Sequence, residues 1–262
     1  MDTLKRAAEF LMASQRIDGS WGNGDPLVCA RAMLALKDDM PEDMLLKGLE
    51  YLEGRQDADG HFIPVGRMYS DATSTAYALI VLNRFDYSKA SLPVSRGLVW
   101  LMESQNEDGS WGKNKEKKAY ITTFCLRALH TFYLSGISRF ARGLEFSLGY
   151  LRGLRFSLEP VSHVYAPILN LQRMSYLDED LRDKFLEFVP DAVENALDCG
   201  SVADAAYLLG TLKALGDEDF YPALEEWLVA AQNEDGSFGK DLASPGDPNW
   251  TALVALAMKD ML

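Results

Sequence analysis

Apolar residues along this chain fall into two alternating patterns. The first is amphipathic: across residues 6–15, Ala7, Phe10 and Leu11 recur at helical spacing among charged neighbours, and Asp18-Gly19 then offers the left-handed glycine that ends a helix. The second is apolar nearly all round and rich in small residues, as in 30–36, 75–82 and 251–258. A helix of the second kind leaves no face for water and must be buried. The pattern therefore predicts helical hairpins, each with an outer amphipathic helix and an inner apolar one, and no sheet.

The hairpins repeat. Gln15-Arg-Ile-Asp-Gly-Ser-Trp21-Gly22 recurs as Gln56-Asp-Ala-Asp-Gly-His-Phe62, Gln105-Asn-Glu-Asp-Gly-Ser-Trp111-Gly112 and Gln232-Asn-Glu-Asp-Gly-Ser-Phe238-Gly239. Successive glutamines lie 41, 49 and 127 residues apart, so two degenerate copies belong in the long interval. Arg142-Gly143 opens one of them without the glutamine, as Arg6-Ala7, Lys47-Gly48 and Arg96-Gly97 open clear copies, and Asp191-Ala192 marks a fainter fifth. Six hairpins then span 1–262 as a single domain, a ring closed by contact between repeats 1 and 6. The weak repeats, 138–220, are expected to be its least regular part, because they lack the Gln/aromatic pair and Pro167 interrupts an inner helix by removing a backbone donor.

The spacing Arg/Lys-Gly/Ala-x-x-aromatic-Leu-x-x-x-Gln-x-x-Asp-Gly-x-aromatic resembles the QW repeat of squalene-hopene cyclases and their relatives, and is similar to the repeats of protein prenyltransferase β subunits. The resemblance implies an all-α, α/α6 toroid with inner and outer helical rings. It also implies isoprenoid chemistry in a central cavity. The glutamine and aromatic are expected to be mortar between repeats, not catalytic groups.

Composition narrows the partners. With 39 acidic against 26 basic residues the net charge is −13, which opposes attraction to nucleic acid or an anionic membrane. No apolar run approaches a membrane span of about 18 residues, and no secretory signal core opens the chain. Cys29, Cys125 and Cys199 lie far apart, which suits a reducing compartment, so the protein reads as cytoplasmic.

Candidate chemistry comes from aligning the inner helices. Asp71 corresponds to Asp25, Ala119, Glu159, Ser201 and Asp247; Thr75 to Cys29, Thr123, His163, Ala205 and Thr251; Tyr77 to Arg31, Cys125, Tyr165, Tyr207 and Leu253. Acids before proline, as in Asp25-Pro26 and Asp247-Pro248, read as helix caps, with a rim of carboxylates that holds a metal or a developing cation as the sharper alternative. Cavity candidates are accordingly Asp25, Cys29, Arg31, Asp71, Thr73, Thr75, Tyr77, Arg127, His163, Tyr165, Tyr207, Asp247 and Trp250. Tyrosine faces among small polar groups suit an apolar guest or a cation, and Tyr77, Tyr165 and Tyr207 equally suit the filled core of a closed barrel.

Tyr69-Ser-Asp71-Ala-Thr73-Ser74-Thr75-Ala76 is similar to the Tyr-Pro-Asp-x-Asp-Asp-Thr-Ala stretch that carries the proton donor of class II terpene cyclases. Thr73 stands where the donor aspartate would be, and a hydroxyl is no such acid. Asp71 reads as an N-cap, and Asp71 and Asp204 are the candidate acids. The Asp-x-Cys zinc motif of protein prenyltransferases is absent, and repeat 1 lies across the ring from His163, so Cys29 and His163 do not share a metal. His61 and His130 read as structural. The basic cluster Lys113-Asn-Lys115-Glu-Lys117-Lys118 reads first as a solvated loop and, as the functional alternative, as a guide for an isoprenoid diphosphate toward the rim; Arg67 lies just before Asp71, and Asp178-Glu179-Asp180 reads as a helix cap. No motif demands a cofactor, and Mg enters only if a diphosphate is bound. The sequence thus reads as an isoprenoid-handling prenyltransferase- or cyclase-like enzyme of non-standard mechanism with a small apolar or isoprenoid ligand, and sets no oligomeric state. Two alternatives are a non-catalytic lipid- or peptide-binding toroid and a carbohydrate-active α/α barrel using two of Asp25, Asp71, Asp204 and Asp247 as acid and base.

Overall fold

The computed structural model describes residues 2–66, 70–114, 117–154, 156 and 162–262. Expectations resting on Arg67, Tyr69, Lys115, Glu159 and the His163 side chain lie outside the described residues. Among those described there are twelve α-helices and no strand beyond an isolated Gln56–Phe62 bridge. The outer helices are α1 (Asp2–Ala13), α3 (Glu42–Gly54), α5 (Leu92–Glu103), α7 (Ser138–Gly153), α9 (Glu179–Asp198) and α11 (Tyr221–Ala230). The inner ones are α2 (Pro26–Ala35), α4 (Asp71–Arg84), α6 (Lys118–Thr131), α8 (Ser162–Arg173), α10 (Val202–Leu215) and α12 (Pro248–Met258). None is long and apolar enough to cross a membrane.

Each inner helix packs on the next, and α12 returns to α2, so the ring is closed. All ten residues of α2 are buried, as its all-round apolarity requires. Outer helices α3, α5 and α7 pack on the inner helix of the preceding hairpin, and α1 does the same on α12 across the closure. α8 runs unbroken through Pro167, so the expected interruption of that helix does not occur. Asp178 caps α9 by accepting from the Leu181 amide, as the acidic triplet suggested.

The glutamines and arginines of the repeated motif, together with Trp21 and Trp111, make structural bonds. The Gln15 side-chain amide donates to the carbonyls of Gly19 in its own loop and Met44 at the next outer helix, and Gln56 and Gln105 do likewise. Gln232 reaches Gly236 and Thr3, which ties the last repeat to the first. Arg6, Arg96 and Arg142 donate back to carbonyls of the preceding loop. Trp21 and Trp111, wholly buried, donate their indole N–H to Leu11 and Leu101. The motif glycine has φ near +85° in three of the four clear copies and +102° at Gly60, a conformation that L side chains resist.

Repeats 4 and 5 contain no such glutamine staple in their sequences. Backbone amides in α7, α8 and α9 are therefore expected to exchange hydrogen faster than those of α1 to α6, by about tenfold where opening is local. Mass-spectrometric hydrogen exchange checks this, and equal protection across the ring would refute it.

Candidate functional site

At the rim carrying the N-termini of the inner helices, the ring opens into a cavity of about 810 Å³, within the usual range for sites that bury a small ligand. Its lower wall is aromatic. Tyr207 on α10, Tyr120 on α6 and Trp250 on α12 face it, Thr73 and Ala203 lie between them, and Trp100 and Ile121 extend the apolar lining toward the mouth. Charge gathers at the mouth: Lys113 and Lys117 precede α6, and Lys240 comes from the loop before α12. The Lys240 carbonyl accepts from the Ala203 amide, which fixes that loop over the start of α10. All three lysines are exposed. Among the described residues Asp71 and Asp204 are the carboxylates in the lining, so a chain of strongly negative charge presents four described cations against two anions here, counting Arg31 below.

The floor is a layer of bonded side chains. Arg31, 1% exposed, reaches across the bore from α2. Its guanidinium donates to Asn249 Oδ1 on α12 at 2.9 Å, to the Tyr77 hydroxyl on α4 at 3.0 Å and to the Tyr207 hydroxyl. It lies over both tyrosine rings, 5.1 and 5.8 Å from their centroids. The Tyr120 and Tyr207 hydroxyls are 3.2 Å apart, and Phe124 packs on both Tyr77 and Tyr120. Burial pushes the Tyr77 hydroxyl well above the usual phenol range, while the nearby Arg31 charge opposes that shift.

Of the residues singled out from the sequence, Arg31, Asp71, Thr73, Lys113, Lys117, Asp204, Tyr207 and Trp250 come together at this cavity. The rest are placed elsewhere. Cys29, Thr75 and Thr251 are wholly buried and accept the backbone N–H of Trp21, Phe62 and Phe238, one per repeat. Thr122, not Thr123, does this for Trp111, so the inner-helix alignment in repeat 3 is corrected by one residue: Lys118, Thr122 and Phe124 replace Ala119, Thr123 and Cys125. Asp247 caps α12 through the Asn249 amide. Tyr165 sits in the core edge-on to Phe185, where burial pushes its hydroxyl upward. Arg127 bonds Asn170 and, with Tyr77, lines a small void on the far side of the floor; burial lowers its basicity.

Asp25 is wholly enclosed. Its carboxylate accepts from the amides of Leu27 and Val65 and from the Ser74 hydroxyl, joining α2, the loop before α4 and α4 itself. Burial raises its pKa, and those three bonds counter the rise. Of the four carboxylates considered as an acid and base pair, only Asp71 and Asp204 therefore face the cavity. Asp204 accepts from the Ser201 hydroxyl, and its amide donates to the Ser201 oxygen, so Ser201 caps α10 and holds the Asp204 carboxylate at the same time.

Asp71 is not the cap of α4. Ser70 is, its hydroxyl oxygen accepting from the Thr73 amide, and Asp71 is the exposed first residue of the helix. Ser70→Ala is expected to cost about 1 kcal/mol of stability and Asp71→Asn less than about 0.5 kcal/mol. Urea unfolding of both variants checks the order; the reverse order would return the cap to Asp71.

Sequence reasoning missed Tyr120, Trp100, Lys240 and Ile121. With repeat 3 in the corrected register, Tyr120 falls level with Thr73 and Ala203, both lining residues, and the signal was hidden by that one-residue slip. His61 stacks on Trp100, and His130 lies 2.9 Å from the Ser135 hydroxyl beyond the C-terminal half of α6. Among the described residues no group of three or more His, Cys, Asp or Glu is arranged to hold a metal ion.

Residues 1–135 match the family described as the squalene-hopene cyclase C-terminal domain. A drimenyl diphosphate synthase of Streptomyces showdoensis is 29% identical over 122 residues, 42% of this chain but only 23% of that protein's length. Among solved structures, the type II terpene cyclase MstE from Scytonema in complex with the product merosterolic acid A is similar over 100% of this chain and 97% of that one, at 16% identity and a TM-score of 0.66. MstE with its substrate geranylgeranyl dihydroxybenzoate gives 0.67 at 14% identity, covering 99% and 96%. An α-amylase from Clostridium perfringens also gives 0.67 at 11% identity, covering 99% and 98%. Likeness at such identities shows the fold alone.

Proposed function

Because the chain belongs to the family of squalene-hopene cyclase C-terminal domains, we propose that its cavity binds an isoprenoid diphosphate, tail inward on the aromatic wall and diphosphate outward at the lysines. The observation that carries this reading is the polarity of the cavity. Tyr120, Tyr207, Trp100, Trp250 and Ile121 offer apolar and π surface, and Lys113, Lys117 and Lys240 gather at the mouth of an otherwise acidic chain. An amphiphile with a long apolar tail and a compact polyanionic head complements both halves. The basic cluster before α6 supports it further: of its described lysines, Lys118 is paired with Asp108 in the loop, and Lys113 and Lys117 line the cavity.

This toroid holds its ligand and does not supply the standard class II proton. Thr73 faces the cavity where a donor carboxyl would stand, and the neighbouring Ser74 hydroxyl is spent on Asp25. The floor itself opposes cation chemistry, because a carbocation about 6 Å from the Arg31 guanidinium would be raised by about 3 kcal/mol at an effective dielectric of 20. The faces of Tyr77 and Tyr207 are already occupied by that guanidinium. Should magnesium accompany the diphosphate, Asp71 and Asp204 are the lining carboxylates that would meet it.

Trp100 and Trp250 give the test its signal. Titration with a fifteen-carbon prenyl diphosphate should quench tryptophan fluorescence saturably, with micromolar or tighter affinity. A Trp100→Phe, Trp250→Phe double variant should bind without the quench. Absence of binding by calorimetry as well as fluorescence would dispose of the proposal.

A further inference from the structure

We infer that Arg31 is the length gauge of the cavity: its bonded layer stops the bore and sets how many isoprene units the tail can have. The inference rests on the reading of the cavity as a prenyl site and specifies which tails it accepts. Arg31 lines the main cavity and also a second void, of about 10 Å³, on the opposite side of the layer. A single layer of side chains therefore separates the two. Beyond it Leu34, Ile80, Leu256, Met261 and Leu262 line the void together with Tyr77 and Arg127. The aliphatic part of that lining suits a tail, but the space is no larger than about one water molecule would need.

The layer is built to stay shut. Arg31 bonds side chains from α4, α10 and α12, and the Tyr207–Tyr120 contact adds α6, so five of the six inner helices meet at it. At 1% exposure the guanidinium is not a receptor for a ligand's head group. A tail that reaches this layer must either stop or break hydrogen bonds among buried polar groups, which no hydrocarbon can replace. Shorter tails avoid that loss. Affinity should thus climb with tail length while apolar burial grows, then fall at the first tail that is too long.

The experiment is a calorimetric titration of the whole chain with prenyl diphosphates of ten, fifteen, twenty and twenty-five carbons. The wild type should show a maximum within the series and at least a tenfold loss beyond it. Arg31→Ala joins the cavity to the void and should raise the affinity ratio of the longest to the shortest tail at least tenfold. Arg31→Met, which removes the charge and leaves most of the length, should shift that ratio much less. Tyr207→Leu opens the layer from another helix and should act in the same direction as Arg31→Ala, which keeps the test sound if one variant does not fold. An affinity that rises through all four tails in the wild type, or a ratio unchanged in both opened variants, overturns the gauge while leaving the prenyl site standing. Failure of every tail to bind the wild type overturns both.

Discussion

Replacing Gly236 by alanine is expected to lower the melting temperature by about 6–12 °C. Gly236 adopts φ of +87°, and a methyl group there would lie 2.5 Å from the Arg6 carbonyl oxygen, on backbone that cannot swing aside. The left-handed conformation alone costs an L residue about 1–2 kcal/mol. Relieving the clash must also push α1 from its seat, loosening the bonds from Arg6 to Asn233 and Glu234 and from Gln232 to Thr3. Those bonds close the ring, so the total should reach about 3 kcal/mol, and each kcal/mol moves the midpoint of a chain this size by about 2–4 °C. Gly216→Ala separates the two effects. That residue is also left-handed, at φ of +70°, but nothing lies within 4 Å of the added methyl. It should cost no more than about 2 kcal/mol. Calorimetric melts of the two variants that coincide within 1 °C would show that closure at repeats 1 and 6 carries no special load.

Charge reversal at the mouth should have the largest effect on binding. The Lys113→Glu, Lys117→Glu, Lys240→Glu triple variant is expected to bind a fifteen-carbon prenyl diphosphate at least about a hundredfold more weakly. Each swap exchanges an attraction for a repulsion worth about 1 kcal/mol at contact distance in water, and three such swaps exceed the 2.7 kcal/mol that a hundredfold change requires. Because all three side chains are exposed, stability should move by less than about 1 kcal/mol. Wild-type affinity should also decline steeply with salt, and the variant's should not. A triple variant that binds as well as the wild type would place the diphosphate elsewhere.

The fold was legible because its signals are redundant. A glutamine, a glycine and an aromatic recur at fixed spacing, and the glutamine makes the same pair of bonds in each of the four clear copies, so the ring can be counted from the chain alone. The cavity was less legible because its residues do not repeat. Lys113, Lys117 and Lys240 come from loops of unlike length, and between Gln105 and α6 that variation shifted the register by one and concealed Tyr120. Position within a helix also misled. Cys29, Thr75 and Thr251 face the motif loop and are consumed by a backbone amide, a demand that each repeat makes and that apolar periodicity does not reveal. Arg31 was placed correctly on an inner helix, but its reach across the bore to three other helices is a property of side-chain length that the alignment did not contain.

A structure of the protein crystallised with a non-hydrolysable fifteen-carbon prenyl diphosphate tests the central claim most directly. The account predicts continuous density from the mouth to the Arg31 layer, with the tail against Tyr120, Tyr207 and Trp250 and the phosphorus atoms within about 4–5 Å of the lysine ammonium groups, a salt-bridge distance. Density outside the ring, or a tail at the lysines with its diphosphate buried against the tyrosines, would contradict it.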